Sequence, residues 1–360
     1  MDGAHSSRCS RDGAGGNLAR LRSRASEFFE NLSVTELARE AHRHLWVSEW
    51  SRIADDYRIF AESARDDGSV WISREAWLCS LTALEIARSL SCPEDSTRLD
   101  LADKAGIGLR GFEDDAGQVI ERVKIDGFDQ EALTGLFLPA CRREPGAPAL
   151  ICVGDDEGSL ASMMSRLWPA ALCRNVSLLL VHARASAARR SFKPEHVLQC
   201  WLDYLEARPD VDGQRISVYG EGMCASDVSR LALYDRRIAA AVCDGGLLAS
   251  VKRRASVHWM TGVEQTVLDG ASTGSLLPSR QIACPLLMVV GSRSMVREAE
   301  ALELQAGYRH AGADCSVVVP NRIPYPLGEI ENFISVDDFI FQWLDSKLGT
   351  AGRIDPVTYL

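Results

Sequence analysis

Several residues able to do chemistry near neutral pH stand at the ends of apolar runs in this chain. His182 closes the run 178–181, where an imidazole can both take and give a proton. Asp155 follows the run 147–153, as the first acid of Gly154-Asp155-Asp156-Glu157-Gly158, and is a second group suited to proton transfer. Asp156 and Glu157 suit the first turn of a helix starting near Ser159, where carboxylates complement the helix dipole. Cys224 ends the stretch Gly220-Glu221-Gly222-Met223-Cys224, at the start of a helical pattern that would favour its thiolate. The same position equally suits a small buried hydrophobe. Ser294 lies in Gly291-Ser292-Arg293-Ser294, beyond the apolar run 285–290.

These residues need a scaffold, and the clearest piece of it is 215–246. A short apolar strand (216–219) enters a glycine-rich turn, a helix follows, and a second apolar strand (238–243) ends in Asp244-Gly245-Gly246. With Asp212-Gly213 before it and Tyr234-Asp235-Arg236-Arg237 after it, the stretch resembles a bacterial and fungal α/β-hydrolase family. That family includes 2,6-dihydroxypseudooxynicotine hydrolase, polyketide-shortening pigment hydrolases and the fermentation-respiration switch protein. The resemblance extends over roughly residues 25 to 348 and implies an α/β-hydrolase fold, a mostly parallel sheet entered by an N-terminal hairpin, with an N-terminal helical cap. It also implies a G-x-S-x-G elbow with its serine at 222, an acid at 294 and a histidine in the loop after 317–320. This chain has Gly222, Ser294 and, in Asn321-Arg322-Ile323-Pro324-Tyr325-Pro326, no histidine. A serine hydroxyl at 294 could accept a hydrogen bond from an imidazole but could not balance its charge. Gly154, Gly222 and Met223 fall at the implied elbow and oxyanion positions, beside acids that would repel an oxyanion. The implied ligand pocket beneath the cap would be lined by Trp46, Trp50, Tyr57, His258, Trp259 and Tyr325.

The other elements follow from periodicity. Residues 1–24 show none and are expected to be disordered, with a helical cap over 25–116, the hydrolase domain over 117–348 and a tail over 349–360. Trp46, Trp50, Ile53, Tyr57, Phe60 and Ala61 draw one helical stripe, and Ala76, Leu78, Leu81, Leu84, Ala87 and Leu90 a second. A hairpin is expected over 119–125 and 133–138, strands at 147–153, 178–181, 285–291 and 316–320, and a closing helix at 336–348. A net charge of −10, with 46% hydrophobic and 25% charged residues, argues for a globular protein and against nucleic-acid or anionic-membrane partners. No run reaches the ~18 apolar residues of a membrane span, and no signal peptide is read. Eleven cysteines without a C-x-x-C pair point to a reducing cytoplasm, not to zinc. No cofactor is expected, and the chain admits a homodimer.

Three functions remain open on this reading. One is a non-hydrolytic cyclase, isomerase or lyase acting on a polyketide-like or other largely apolar secondary metabolite through His182 or Asp155. Another is a silent ligand-binding or regulatory pseudoenzyme. The third is a hydrolase or acyltransferase with Cys224 as a displaced nucleophile.

Overall fold

The computed structural model describes residues 16–37, 39–91, 96–115, 120–127, 130–140, 146–154, 157–182, 194–247, 282–292, 294, 296–325 and 328–349. The chain divides into two compact units, Met1–Gly117 and Gln118–Leu360.

The first unit is helical: α1 (Gly16–Asn31), α2 (Val34–Leu37), α3 (Glu40–Asp66), α4 (Val70–Leu90) and α5 (Thr97–Asp115). Residues 16–24, expected to be disordered, are the start of α1. Leu21, Ala25 and Phe29 recur every four residues and are buried, a stripe hidden in the sequence by its arginine- and serine-rich surroundings. The first N–H groups of α1, at Asn17 and Leu18, donate to Glu75 Oε1 of α4 at 2.9 and 3.0 Å. This satisfies donors that a helix start leaves without intrahelical partners. On α3 the buried residues Val47, Trp50, Ile53, Ala54, Ala61 and Ala64 follow the expected stripe. Helix α5 was not anticipated, because Gly106, Gly108 and Gly111 lower its helix propensity. Two of them are there for contact: a Cβ at Gly111 would come within 2.3 Å of Trp77, and one at Gly108 within 2.9 Å of Leu81. Close approach of α5 to α4 therefore requires them.

The second unit runs β1 (Glu121–Gly127), β2 (Gln130–Leu138), β3 (Ala147–Gly154), α6 (Glu157–Arg174), β4 (Ser177–His182), α7 (Pro194–Glu206), β5 (Val211–Glu221), α8 (Cys224–Tyr234) and β6 (Ile238–Asp244). It continues with β7 (Leu286–Val289), α9 (Glu298–His310), β8 (Cys315–Val318), β9 (Arg322–Tyr325), β10 (Gly328–Glu331) and α10 (Phe333–Leu348). Eight strands form one sheet in the order β1-β2-β4-β3-β5-β6-β7-β8. The hairpin β1–β2 is antiparallel and β2 meets β4 antiparallel, while the other pairings within this sheet are parallel. The apolar runs of β3, β4 and β6 are buried because helices cover both faces of such a sheet.

The segment 321–326, read from sequence as a loop, is in part a strand. β9 pairs antiparallel with β10, placing Ile323 opposite Ile330 and Pro324 opposite Glu329. A two-stranded hairpin tolerates Pro324 because each strand is an edge. No helix among the described residues is long and apolar enough to cross a membrane.

Candidate functional site

The turn between β5 and α8 is built from glycines with distinct jobs. Strand β5 ends at Glu221, Gly222 adopts φ +53°, and α8 begins at Cys224. Gly222 is in the left-handed region, which L-residues with a side chain enter only at a cost. A Cβ on Gly222 would meet no atom within 4 Å, so its place is open. Gly220 differs: a Cβ there would lie 2.7 Å from Cys224 O and 2.8 Å from Val228 Cγ2, so the helix can fold back over the strand only above glycine. The far side of the turn leans on the end of β6. Gly222 N–H donates to Asp244 O at 2.7 Å, and a Cβ at Gly245 would sit 3.0 Å from the Gly222 backbone. Close backbone contacts thus hold the far side of the sharp turn.

Beside it lies a buried polar cluster drawn from four elements. Arg166 of α6, 1% exposed, pairs in a fork with Asp337 of α10, Nη2 to Oδ1 at 2.7 Å and Nε to Oδ2 at 3.2 Å. Its Nη1 donates to Glu221 Oε2 at 2.8 Å. Tyr219 Oη lies 3.2 Å from the same Glu221 oxygen and 2.9 Å from Asp244 Oδ2, and accepts from Arg166 Nη2 at 3.4 Å. Burial alone would lower the proton affinity of the guanidinium. Asp337 first, then Tyr219 and Glu221, outweigh that and hold it well above its ordinary value. One cation therefore stands among three carboxylates, Glu221 and Asp244 at the carboxyl ends of β5 and β6 and Asp337 on α10. Open α/β sheets bind their ligands at this edge.

The next strand end carries another acid. Glu331, from the end of β10, is 5% exposed and accepts from Ser292 N–H at 2.7 Å, beside Gly291. A Cβ at Gly291 would lie 2.2 Å from Glu331 Oε2, so glycine makes room for the carboxylate. Ser294, two residues on, is turned to the backbone. Its hydroxyl lies 2.9 Å from Val296 O and 3.3 Å from Gly245 O, and accepts from Val296 N–H at 3.2 Å.

The residues singled out from sequence separate under this geometry. His182 is half-buried at the end of β4, in parallel register with Gly154 at the end of β3. Asp155, His258 and Trp259 lie outside the described residues. Met223 precedes α8 with helical φ and ψ. Cys224 is 1% exposed and belongs to the apolar core with Ala225, Val228 and Leu231. Ile323, Pro324 and Tyr325 form β9. In the helical unit, Trp50 is 3% exposed, and both Trp46 and Trp50 stack edge-on against Phe28 of α1, at 5.6 and 5.7 Å. Those rings hold α1 to α3. Tyr57 and Phe60 line a shallow depression on α3 with Ile53 and Asp56. Among the described residues, no group of three or more histidine, cysteine or acidic side chains is placed to hold a metal ion.

Sequence reasoning missed Arg166, Tyr219, Glu221, Asp244, Asp337 and Glu331. A signal was present for two of them. Arg166 interrupts the apolar stripe of 160–171, and Asp337 that of 333–344, and a charge inside a buried stripe asks for a partner. Their separation of 171 residues hid the pairing.

No protein-family model and no curated protein matches the chain. Solved structures do. The 2,6-dihydroxy-pseudo-oxynicotine hydrolase is 15% identical, with 92% of this chain and 97% of that one covered and a TM-score of 0.58. The apo AtxE2 isopeptidase is 16% identical over 66% of this chain, which spans 41% of it, with a TM-score of 0.50. Est1E from Butyrivibrio proteoclasticus is 14% identical, with 63% and 99% of the two chains covered and a TM-score of 0.47.

Proposed function

This chain has the α/β-hydrolase fold, and we propose that it serves as a non-hydrolytic enzyme of cyclase, isomerase or lyase type. Its substrate is a small, largely apolar, enolisable molecule of polyketide-like character. The observation that carries this reading is Gly222, a residue without a side chain at the left-handed turn where the fold presents its nucleophile. The Ser294 hydroxyl, engaged with backbone, supports it, as does the absence of histidine from the sequence 321–326. Burial of Cys224 in the core weighs against a displaced thiol nucleophile. Ionisable groups nevertheless persist at the strand ends, with His182 on β4, Glu221 on β5 and Asp244 on β6. Proton transfer and the shaping of a reactive intermediate need such groups and need no acyl-enzyme.

The test incubates the protein with a panel of poly-β-ketones and naphthalenones, comparing product profiles for wild type, His182→Ala and Asp155→Asn. Intact mass after exposure to p-nitrophenyl acetate is followed in parallel. Protein-dependent conversion without any acyl adduct is expected. Ester turnover that disappears in Cys224→Ser would overturn the reading. Binding with product profiles identical to those without protein would mark a pseudoenzyme.

A further inference from the structure

The contacts of Tyr219 arrange two carboxylates into a path with one outer and one inner end. A phenol carries a single proton. With Asp244 Oδ2 at 2.9 Å and Glu221 Oε2 at 3.2 Å, that proton can be passed toward either side. Asp244 is wholly buried, whereas 15% of the Glu221 side chain is exposed, at the residue that enters the elbow. Arg166 Nη1 holds the Glu221 end at 2.8 Å, while Nη2 lies 3.9 Å from Asp244 Oδ2.

We infer that Glu221 is the acid–base residue of this site, and that Tyr219 and Asp244 form the relay that takes up its proton. The inference rests on the non-hydrolytic reading above and names the group that performs its chemistry. Glu221 removes a proton from a carbon next to a carbonyl. The C–H bond breaks, its electron pair stays on the substrate as an enolate, and an O–H bond forms on Glu221. Glu221 then gives its proton to Tyr219 as Tyr219 gives its own to Asp244. Each oxygen that loses a hydrogen is matched by one that gains it, and the negative charge moves from Asp244 to Glu221. Reversal delivers the proton to another carbon of the enolate, completing an isomerisation, or to a departing oxygen, completing an elimination. Arg166 stands beside both ends of that movement, so neither position of the charge lacks a nearby cation. Asp337 of α10 fixes the guanidinium by its bidentate grip. Among the described residues, the thiols of Cys152 on β3 and Cys243 on β6 also stand close enough to feel the charges of the path, Cys152 those of Glu221 and Arg166 and Cys243 that of Asp244. Burial pushes both thiols well up, so they take no part in proton exchange near neutrality.

The experiment measures α-deuteration of 2-tetralone in D2O by NMR, with full-length wild type, Glu221→Gln and Tyr219→Phe. Expected are exchange above buffer for wild type and a loss of about 100-fold or more in Glu221→Gln. Tyr219→Phe keeps the ring and breaks the relay, so it should give an intermediate rate and a displaced acid limb of the pH profile. Thermal midpoints are read alongside. Wild-type exchange with an equal rate in folded Glu221→Gln overturns this inference and leaves the non-hydrolytic reading standing. A wild type that binds 2-tetralone without exchanging it overturns the reading, and the inference with it. Should Glu221→Gln fail to fold, Tyr219→Phe decides, because an unaltered pH profile in that variant overturns the relay.

Discussion

At residue 222, space and backbone make opposite statements. A serine Cβ there would touch nothing within 4 Å, so sterics leave the position open to a nucleophile. The φ of +53° resists it, at about 1–2 kcal/mol for a residue with a side chain. Hydrolases accept such strain at this turn because the strain presents the serine. With glycine the strain vanishes and the turn remains. Gly222→Ser should therefore fold, with a stability lower by about 1–2 kcal/mol in urea denaturation. It should gain no turnover of p-nitrophenyl acetate, because a serine without an imidazole to take its proton is a weak nucleophile. The hydroxyl at 294 is committed to Val296, and no imidazole occupies 323 or 324. Ester turnover by Gly222→Ser above wild type would show that a group other than an imidazole activates the new hydroxyl.

Between elements, polar side chains from one helix complete the ends of another. Glu75 on α4 accepts the first N–H groups of α1 and is itself 7% exposed. Burial raises its carboxyl above the usual range, and the N–H bonds from Leu18 and Asn17 and the nearby Arg20 guanidinium pull it only part of the way back. The sign of the pH effect follows. A carboxyl that binds its proton more tightly in the folded chain favours folding when protonated. That contribution is fully present below the unfolded value of about 4.3 and fades as pH rises through the raised folded value. Glutamine keeps an acceptor oxygen for both N–H groups and has no charge to desolvate. Thermal midpoints of wild type and Glu75→Gln should thus diverge in favour of the variant between about pH 4 and pH 7. A difference that stays constant across that range would show that burial of Glu75 is not what α1 docking works against. The elbow obeys the same rule of neighbouring elements. Gly220 is fixed by α8 lying over it, and Gly245 by the Gly222 backbone leaning on it.

Across the whole molecule, what could be read from the sequence was what short-range pattern encodes. The runs 147–153, 178–181 and 238–243 named central strands because burial on both faces demands unbroken apolar sequence. Gly220, Gly222 and the Gly245-Gly246 pair announced the elbow. The cluster on Arg166 was not legible, because its members lie on α6, β5, β6 and α10 and only the fold brings them together. Nor was the β9–β10 hairpin, whose strands have four residues each and include a proline. The cysteines allow the elbow reading and the burial reading to be tested together. Cys152, Cys224 and Cys243 are all buried, while Cys200 on α7 is exposed. Burial raises the thiols of Cys152 and Cys243 well above their ordinary range, and pushes the half-buried Cys284 up to about 12, so few thiolates exist at neutral pH. In a timed iodoacetamide exposure of native protein at pH 7.5, mapped by peptide mass, Cys200 should label first among the cysteines described. Cys152, Cys224 and Cys243 should follow together, at one rate set by global unfolding, since Cys224 and Cys243 share one core and Cys152 is wholly buried within the central strand β3. Labelling of Cys224 well ahead of Cys152 and Cys243 would mean that α8 opens at the elbow by itself. It would also return a reactive thiol to the carboxyl end of β5, against the non-hydrolytic reading.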